Sequence, residues 1–359
     1  MTTTPAVTTG PAGPTGPASG GSAPRAIDVH AHFLPPSALA ALHQGTDWFG
    51  STFEIAPNGA PAIVRGGHSH ALGRADHMLS LAERLERMDR MRVKMQVLSM
   101  VPPLSGYDLE PTTAAAMTRA TNDELAAVVA AHPDRFRALA AIPAQDPAAS
   151  VREVERAMGL AGFVGIIVMS HVQGIDWDDA ALRPILEAAQ GAGAVVFVHP
   201  QNPRSPALSR YRLGNLIGNP FDTTITVASL VFGGVLDSLP DLQLVIAHGG
   251  GYVPFAIGRF EHGYRVRPEA KAIARSAPRD YLRRFHFDTV VYDDRLVRLL
   301  ADTMGSDRIV LGSDFPGDMC PDDPVGEIER NRFLEPAERD AILGGNLVRL
   351  LGLPPPALS

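Results

Sequence analysis

The feature that most restricts how this chain can fold is a series of eight short apolar runs, separated by amphipathic stretches with helical periodicity. Nearly all of these runs are continuous, which is typical of strands buried on both faces of a parallel sheet. The predicted strands are Ala26–Phe33, Met95–Val101, Ala138–Pro143, Phe163–Met169, Ala194–His199, Leu242–His248, Phe285–Val291 and Arg308–Asp314. Eight β–α units close most readily into a (β/α)8 barrel, for which 359 residues suffice. The alternative, an open doubly wound sheet, would give no reason for the polar residues that end these runs.

Two segments depart from this alternation. Residues 1–24 are uncharged and consist mainly of Thr, Pro, Gly, Ala and Ser, which predicts a disordered tail. The tail lacks the basic start and apolar centre of a secretory signal. Residues 48–73 predict an inserted hairpin or flap after the first strand, and residues 25–359 as a whole predict one barrel domain.

Composition argues against several classes of partner. The net charge of −7 gives no electrostatic case for binding nucleic acid or an anionic membrane surface. No apolar run approaches the roughly 20 residues that a membrane-spanning helix needs. Cys320 is the single cysteine, so an internal disulfide is excluded, and a reducing cytoplasm is the expected location.

Histidines and one aspartate lie within or at the ends of the apolar runs. His30 and His32 alternate with apolar residues, so they point to the same side of the first strand, about 7 Å apart along the backbone. His199, His248 and Asp314 end three later strands. Because the carboxyl ends of barrel strands meet at one face, these five side chains are expected to converge. Imidazole and carboxylate groups bind zinc and manganese, so the pattern predicts a metal site.

These motifs resemble the amidohydrolase superfamily, and within it the branch typified by aminocarboxymuconate-semialdehyde decarboxylase. The resemblance covers about residues 26–353 and rests on Asp28–His32, Val198–Pro200, Gly218–Thr224, Ala247–Gly251, Gly258–Arg259 and Gly312–Pro316. It implies that His30, His32, His199 and Asp314 hold one divalent ion, with zinc favoured and manganese as the alternative. It also implies that His248 acts as the acid/base beside the water on that ion, so His248 and Asp314 are the predicted catalytic residues.

The fourth predicted strand favours one ion over two. Dinuclear amidohydrolases carry a bridging lysine on this strand, and Phe163–Met169 contains none. His171 follows the strand and is a candidate to face the substrate cavity, with a loop-capping role as the alternative. The glycines Gly249–Gly251 are expected to let the backbone pass close to the substrate, and their amides could receive an anion.

Three arginines are candidates for holding a substrate carboxylate, because the guanidinium fork binds carboxylates bidentately. By the resemblance, Arg259 reaches across a dimer interface to the substrate, which implies a homodimer. Arg212 lies in the loop after the fifth strand, and Arg65 lies in the predicted flap. The decarboxylase branch has an aromatic residue where Arg212 aligns, so substrate details are expected to differ. A surface role is the alternative for each arginine.

The sequence therefore predicts a metal-dependent carbon–carbon lyase that removes CO2 from a small aromatic or unsaturated carboxylic acid. A second hypothesis keeps the site but changes the reaction, with metal-bound hydroxide attacking a lactone, ester or amide. Hydration of a double bond could use the same water. A barrel retained only for binding would be indicated by a missing ligand, and every ligand is present in the sequence.

Overall fold

The structure is a computed structural model that describes residues 26–55, 61–72, 79–201 and 206–353. The predicted N-terminal tail, residues 1–24, and parts of the predicted flap lie outside the described residues. The strands, in chain order, are β1 (Ala26–Phe33), β2 (Thr52–Ile55), β3 (Pro61–Arg65), β4 (His68–Ala71), β5 (Val93–Met100), β6 (Phe136–Ala140), β7 (Phe163–Met169), β8 (Val195–His199), β9 (Gln243–Ile246), β10 (Phe285–Asp288) and β11 (Ile309–Val310).

Eight of these strands form one parallel sheet in the order β1-β5-β6-β7-β8-β9-β10-β11. Backbone hydrogen bonds join the two edges of this sheet: the Val29 amide donates to the Leu311 carbonyl at 2.9 Å, and the Asp314 amide donates to the His30 carbonyl at 2.9 Å. The sheet is therefore a barrel and not an open doubly wound sheet, as the alternation of apolar runs predicts. The buried strand side chains belong to one large hydrophobic core.

Helices follow the barrel strands and cover the outside of the sheet. Several begin with side-chain caps: Ser80 and Glu83 form a capping box, and the carboxylate of Asp293 accepts from the amides of the next helix. No helix in the described part of the chain is long and apolar enough to cross a membrane. The helices are α1 (Pro36–Gln44), α2 (Leu81–Arg90), α3 (Pro111–Ala131), α4 (Pro147–Met158), α5 (Arg183–Gly191), α6 (Asn219–Phe232), α7 (Val235–Ser238), α8 (Val253–Val266), α9 (Pro278–Tyr281), α10 (Asp294–Met304), α11 (Pro324–Arg330), α12 (Pro336–Asp340) and α13 (Asn346–Leu350).

A small second sheet lies in the region predicted as a flap. The strands β2, β3 and β4 pair antiparallel in that order. Trp48, Ile63 and Leu72 are buried there against Leu104 and Met117, which belong to the β5–α3 connection and to α3. This packing holds the small sheet beside the carboxyl end of β5, at the end of the barrel where the chemistry is expected.

Several barrel strands end earlier than the sequence predicts. The predicted ends at Pro143, His248, Val291 and Asp314 are too late, because β6, β9, β10 and β11 end at Ala140, Ile246, Asp288 and Val310. His248 and Asp314 instead adopt left-handed backbone conformations, with φ of 55° and 60°. Such values are uncommon and costly for residues other than glycine, and they cluster at functional sites.

One buried histidine lies apart from the predicted site. His286 on β10 is 5% exposed, and its Nδ1 has no hydrogen-bond partner among the described residues. Burial, with the nearby positive charge of Arg308, lowers the pKa of His286 to about 4. The folded state therefore contains the neutral ring. Because protonation favours the unfolded chain, acid should lower the free energy of unfolding.

Candidate metal centre

The first two predicted ligands lie side by side on β1. His30 and His32 are both buried, at 0% and 4% exposure. Their Nε2 atoms lie 3.3 Å apart, so the two imidazoles converge on one point, as the alternation along the strand predicts. Each can offer an Nε2 lone pair to the same ion.

Asp314 and His199 complete a cluster of four ligand atoms. Asp314 Oδ1 lies 3.3 Å from Nε2 of His30 and 3.2 Å from Nε2 of His32. One ring nitrogen of His199 joins them, and all four ligand atoms lie within 4.8 Å of one another. Ligand bonds of about 2.0–2.1 Å to a tetrahedral ion would place neighbouring ligand atoms about 3.3 Å apart. The three separations among His30, His32 and Asp314 therefore match the geometry of a metal site.

His199 shows an unsatisfied atom of the kind that an ion would satisfy. Its Nδ1 lies 2.7 Å from the Pro200 carbonyl oxygen, which can only accept, so Nδ1 carries the proton and Nε2 carries the lone pair. Nε2 is buried and has no hydrogen-bond partner among the described residues. Burial also lowers the pKa of His199 well below its usual value, so the ring is neutral. A buried lone pair without a donor is unfavourable, and a cation removes that cost.

The electrostatics around His30 also favour a cation. Burial on its own lowers the pKa of this imidazole, but the carboxylates of Asp314 and Asp288 outweigh it and raise the pKa to about 10. Burial raises the pKa of Asp314, yet the charge of His30 and hydrogen bonds from the surrounding histidines hold that pKa well below its usual range. The protein therefore holds the carboxylates of Asp314 and Asp288 in their ionised form around a point where positive charge is stabilised.

Asp288 contributes to the cluster, although the sequence-based prediction does not include it. Its Oδ2 lies 2.7 Å from His30 Nδ1, and both side chains are fully buried. Its Oδ1 accepts from the amides of Gly249 at 2.9 Å and Val290 at 3.1 Å. One carboxylate thus orients a predicted ligand and fixes the turn that follows His248. In the sequence Asp288 lies in the middle of the predicted strand Phe285–Val291, so the rule of polar residues at strand ends does not identify it.

A second buried carboxylate holds the backbone of the ligands in place. Asp28 accepts from the amides of His30 at 3.1 Å and Ser313 at 3.0 Å. Ser313 Oγ and Gln96 Nε2 donate to its other oxygen, at 2.6 and 3.1 Å. Arg84 in turn donates to the Gln96 side chain and to the backbone carbonyl of His32. Burial raises the pKa of Asp28 to about 6 despite these hydrogen bonds. The network ties β1 to the segment that carries Asp314.

His248 lies at the edge of the four-ligand cluster. Its Nε2 is 3.8 Å from Asp314 Oδ2, and its ring centroid is 5.2 Å from those of His30 and His199. The ring is partly accessible and borders a polar cavity of about 560 Å³ together with His32, His199 and Asp314. His248 can therefore exchange a proton with a molecule bound at the cluster.

The glycines after His248 have a structural role. A Cβ on Gly251, whose φ is 62°, would lie 2.1 Å from the Pro220 carbonyl oxygen, so only glycine fits this approach of α6. The Gly249 amide donates to Asp288, and those of Gly250 and Gly251 donate to backbone carbonyls of the preceding turn. Each of the three amides has a protein acceptor, so the expectation that they offer an anion site is wrong.

The predicted substrate residues occupy different places around the polar cavity. Arg65 borders it but is only 8% exposed, and its guanidinium is paired with Asp108. Arg212 is exposed at the rim, 3.5 Å from Asp318. His171 lies in the wall, where its Nδ1 accepts from the amide of Gly174 at 3.1 Å, so the proton is on Nε2.

Arg259 lies outside both cavities that adjoin the cluster. It is exposed on α8, one turn after Phe255, which is 90% exposed. Phe255 borders a second, largely apolar cavity of about 420 Å³, which shares His248 and Asp314 with the polar one. Within a single chain, the described structure therefore does not bring Arg259 to the cluster.

The chain is similar in sequence and in fold to several known proteins. A family model described as amidohydrolase matches residues 27–353. The 2-amino-3-carboxymuconate-6-semialdehyde decarboxylase of Dictyostelium discoideum is 36% identical over 280 residues, which is 76% of each chain. The gamma-resorcylate decarboxylase of Polaromonas sp. strain JS666 is 29% identical over 285 residues, 75% of this chain and 86% of that one. The crystal structure of a dihydroxybenzoic acid decarboxylase from Polaromonas sp. JS666, with bound manganese and the inhibitor 2-nitroresorcinol, shares the fold with a TM-score of 0.75; the two chains are 24% identical, and the match covers 91% of this chain and 97% of that one.

Proposed function

The chain belongs to the amidohydrolase family, and we propose that it is a metal-dependent decarboxylase that removes CO2 from an aromatic or unsaturated carboxylic acid. The proposal depends on one observation: the four-ligand cluster opens into a polar cavity that His248 also borders. The relative that is 36% identical is named as a decarboxylase, which agrees with this reaction.

We propose that His30, His32, His199 and Asp314 hold one divalent ion. Three neutral imidazoles and one carboxylate leave a dication with net positive charge, and this donor set suits zinc. Manganese is the alternative, and it is the ion named in the Polaromonas structure. When bound, such an ion supplies a Lewis acid that withdraws electrons from a substrate carboxylate or hydroxyl group.

His248 is the proposed acid/base. Loss of CO2 leaves the electron pair of the broken bond on carbon, and a proton must replace it. His248 borders the cavity beside the cluster, within reach of a molecule held there. Asp314 has a second role in this proposal, because its Oδ2 faces Nε2 of His248 at 3.8 Å while its Oδ1 faces the other ligands. Asp314 thereby helps to orient the imidazole toward the reacting carbon.

Arg65, Arg212 and His171 are the proposed substrate contacts within the chain. All three border the polar cavity that contains the cluster, and each can donate hydrogen bonds to an anionic group. A small carboxylate fits a cavity with these donors better than a neutral, apolar ligand does. We propose no role for nucleic acid or a membrane surface, and we propose a cytoplasmic location because a single free cysteine suits it.

We further propose a homodimer in which Arg259 of each chain serves the site of the other. Arg259 does not border the cavities of its own chain, and it shares a helix face with the highly exposed Phe255. The exposed apolar side chains of Leu216 and Tyr252 line the same cavity as Phe255, and exposed apolar patches are typical of interfaces.

The decisive experiment measures CO2 release by the purified protein loaded with zinc or manganese. The panel contains hydroxybenzoic acids and muconate-type acids, with lactones, esters and amides beside them. We expect CO2 from one of the acids, loss of this activity with a chelator, and recovery on adding the metal. Hydrolysis of a lactone, ester or amide without CO2 release from any acid would replace the proposed lyase with a hydrolase.

A further inference from the structure

Arg65 is held by a carboxylate of the protein itself. Its Nε donates to Asp108 Oδ2 at 2.8 Å, and its Nη2 lies 2.8 Å from Asp108 Oδ1. This is the bidentate arrangement with which arginine recognises the carboxylate of a ligand. Both residues border the polar cavity that contains the metal cluster.

The two partners differ in how firmly they are fixed. Arg65 is 8% exposed, and it also donates to the Pro103 carbonyl at 2.9 Å and contacts Ser51 Oγ at 3.4 Å. The Asp108 side chain is 57% exposed. If the Asp108 carboxylate moved away from Arg65, the contacts with Pro103 and Ser51 would keep the guanidinium in place. The Nε–Nη2 edge of Arg65 could then bind another carboxylate.

The exposed partner can leave without unfolding its loop. Gln145 Nε2 donates to the carbonyls of Gly106 at 2.8 Å and Leu109 at 3.0 Å, which fixes the backbone on both sides of Asp108. Rotation of the Asp108 side chain into solvent is therefore sufficient to release Arg65.

We propose that Asp108 determines substrate specificity as an internal competitor, which occupies the carboxylate-binding edge of Arg65 until a carboxylate of the substrate replaces it. The inference rests on the proposed function and narrows it. The preferred substrate carries a second carboxylate, separate from the group at the metal cluster, and this group exchanges with Asp108. A substrate without a second carboxylate does not displace Asp108, so the ion pair between Arg65 and Asp108 stays intact.

The test compares wild type with Asp108→Asn, which keeps the size of the side chain and removes its charge. The probes are benzene-1,3-dicarboxylate and its monoamide, 3-carbamoylbenzoate, with the metal-loaded protein and calorimetry as the measurement. The competing ion pair has one exposed partner, so its removal should tighten dicarboxylate binding about fivefold, the factor that matches about 1 kcal/mol. The monoamide should bind equally well to both proteins.

Two controls separate competition from general electrostatics. Glu110→Gln removes a negative charge from the same loop two residues away, at an exposed side chain, and should leave both affinities unchanged. In an Arg65→Met background, Asp108→Asn should have no effect, because the group for which the carboxylates compete is gone. Arg65→Lys keeps the charge without the fork and replaces Arg65→Met if that variant does not fold.

Several results would overturn the proposal. They are weaker or unchanged dicarboxylate binding by Asp108→Asn, an equal gain in Glu110→Gln, persistence of the gain without the Arg65 fork, and failure of both proteins to bind the dicarboxylate. Because the readout is binding, the result is independent of turnover. A protein that shows the exchange but releases no CO2 from any acid would contradict the proposed decarboxylase and leave the role of Asp108 standing.

Discussion

Replacing Asp288 with asparagine tests whether the buried carboxylate behind His30 sets the affinity of the proposed metal site. Asp288 accepts three hydrogen bonds and donates none: one from His30 Nδ1 at 2.7 Å, and two from the amides of Gly249 and Val290 at 2.9 and 3.1 Å. Asparagine has nearly the same shape but offers one acceptor oxygen and one NH2 group. At least one of the three donors must therefore face the NH2 group.

The size of the effect follows from these contacts. If the amide oxygen faces the two backbone donors, the NH2 group faces His30 and favours the tautomer with its proton on Nε2, which removes the lone pair needed for the ion. If the side chain flips, the two backbone donors lose their acceptor instead. The first arrangement costs the ion its Nε2 lone pair, and the second leaves two buried donors unsatisfied, at about 1–3 kcal/mol for each donor. Loss of such a partner of a ligating histidine typically weakens metal binding about 10- to 100-fold, which is the same range.

The assay is the zinc dissociation constant, measured at fixed pH by competition with a chromophoric chelator. Thermal unfolding of each protein serves as a check on folding. Asp293→Asn is the matched control, because Asp293 caps α10 and asparagine caps helices equally well. We expect Asp288→Asn to bind zinc about 10- to 100-fold more weakly and the control to match wild type. A folded Asp288→Asn protein with wild-type zinc affinity would refute the argument that this carboxylate prepares His30 for the ion.

Three further predictions concern the acid/base group, the proposed dimer and a buried histidine. His248→Ala should keep its metal content while turnover falls at least about 100-fold, and loss of metal would show that His248 is a ligand. An equimolar mixture of His248→Ala and Arg259→Ala chains should recover about a quarter of wild-type activity, since half of randomly formed dimers are mixed and each has one complete site; no recovery would rule out a shared site. The folded-state pKa of His286, about 4, lies below its usual value of 6.5. Its contribution to stability is therefore present above pH 6.5 and is lost as the pH falls toward 4, by up to about 3 kcal/mol. In chemical denaturation measured across this range, His286→Gln should show a correspondingly smaller loss; a pH dependence equal to that of wild type would contradict the argument.

The barrel and the ligand cluster could be predicted because both follow from a pattern local to each strand. Continuous apolar runs identify the strands, and the carboxyl ends of parallel strands in a barrel share one face. It follows that residues as distant in sequence as His30, His199 and Asp314 meet, without any knowledge of individual contacts. The same rule does not identify Asp288, because the apolar residues Val290 and Val291 extend the predicted strand beyond the point where β10 ends.

Other features depend on contacts that no local pattern contains. The apolar runs before His248 and Asp314 gave no sign that both residues turn into left-handed conformations, because periodicity reports burial and not the last backbone angle. The pairing of Arg65 with Asp108 requires the small β2–β4 sheet to pack beside the β5–α3 connection. Gly251 likewise looks like a flexible position beside the substrate, and only its approach to Pro220 shows that it is a packing position.

The position of the cluster would link the proposed metal binding to closure of the barrel. His30 and His32 are on the first strand, and Asp314 directly follows the last, so the two ends of the sheet meet between ligands of the same site. The Asp314 amide donates to the His30 carbonyl across this seam, and Asp28 bonds to the backbone on both sides of it. An ion held by these three proposed ligands would bridge the seam as well. Because such an ion would bind only the closed barrel, its binding free energy would stabilise the contact between the first and last strands, and a change on either side of the seam should affect both the fold and the site.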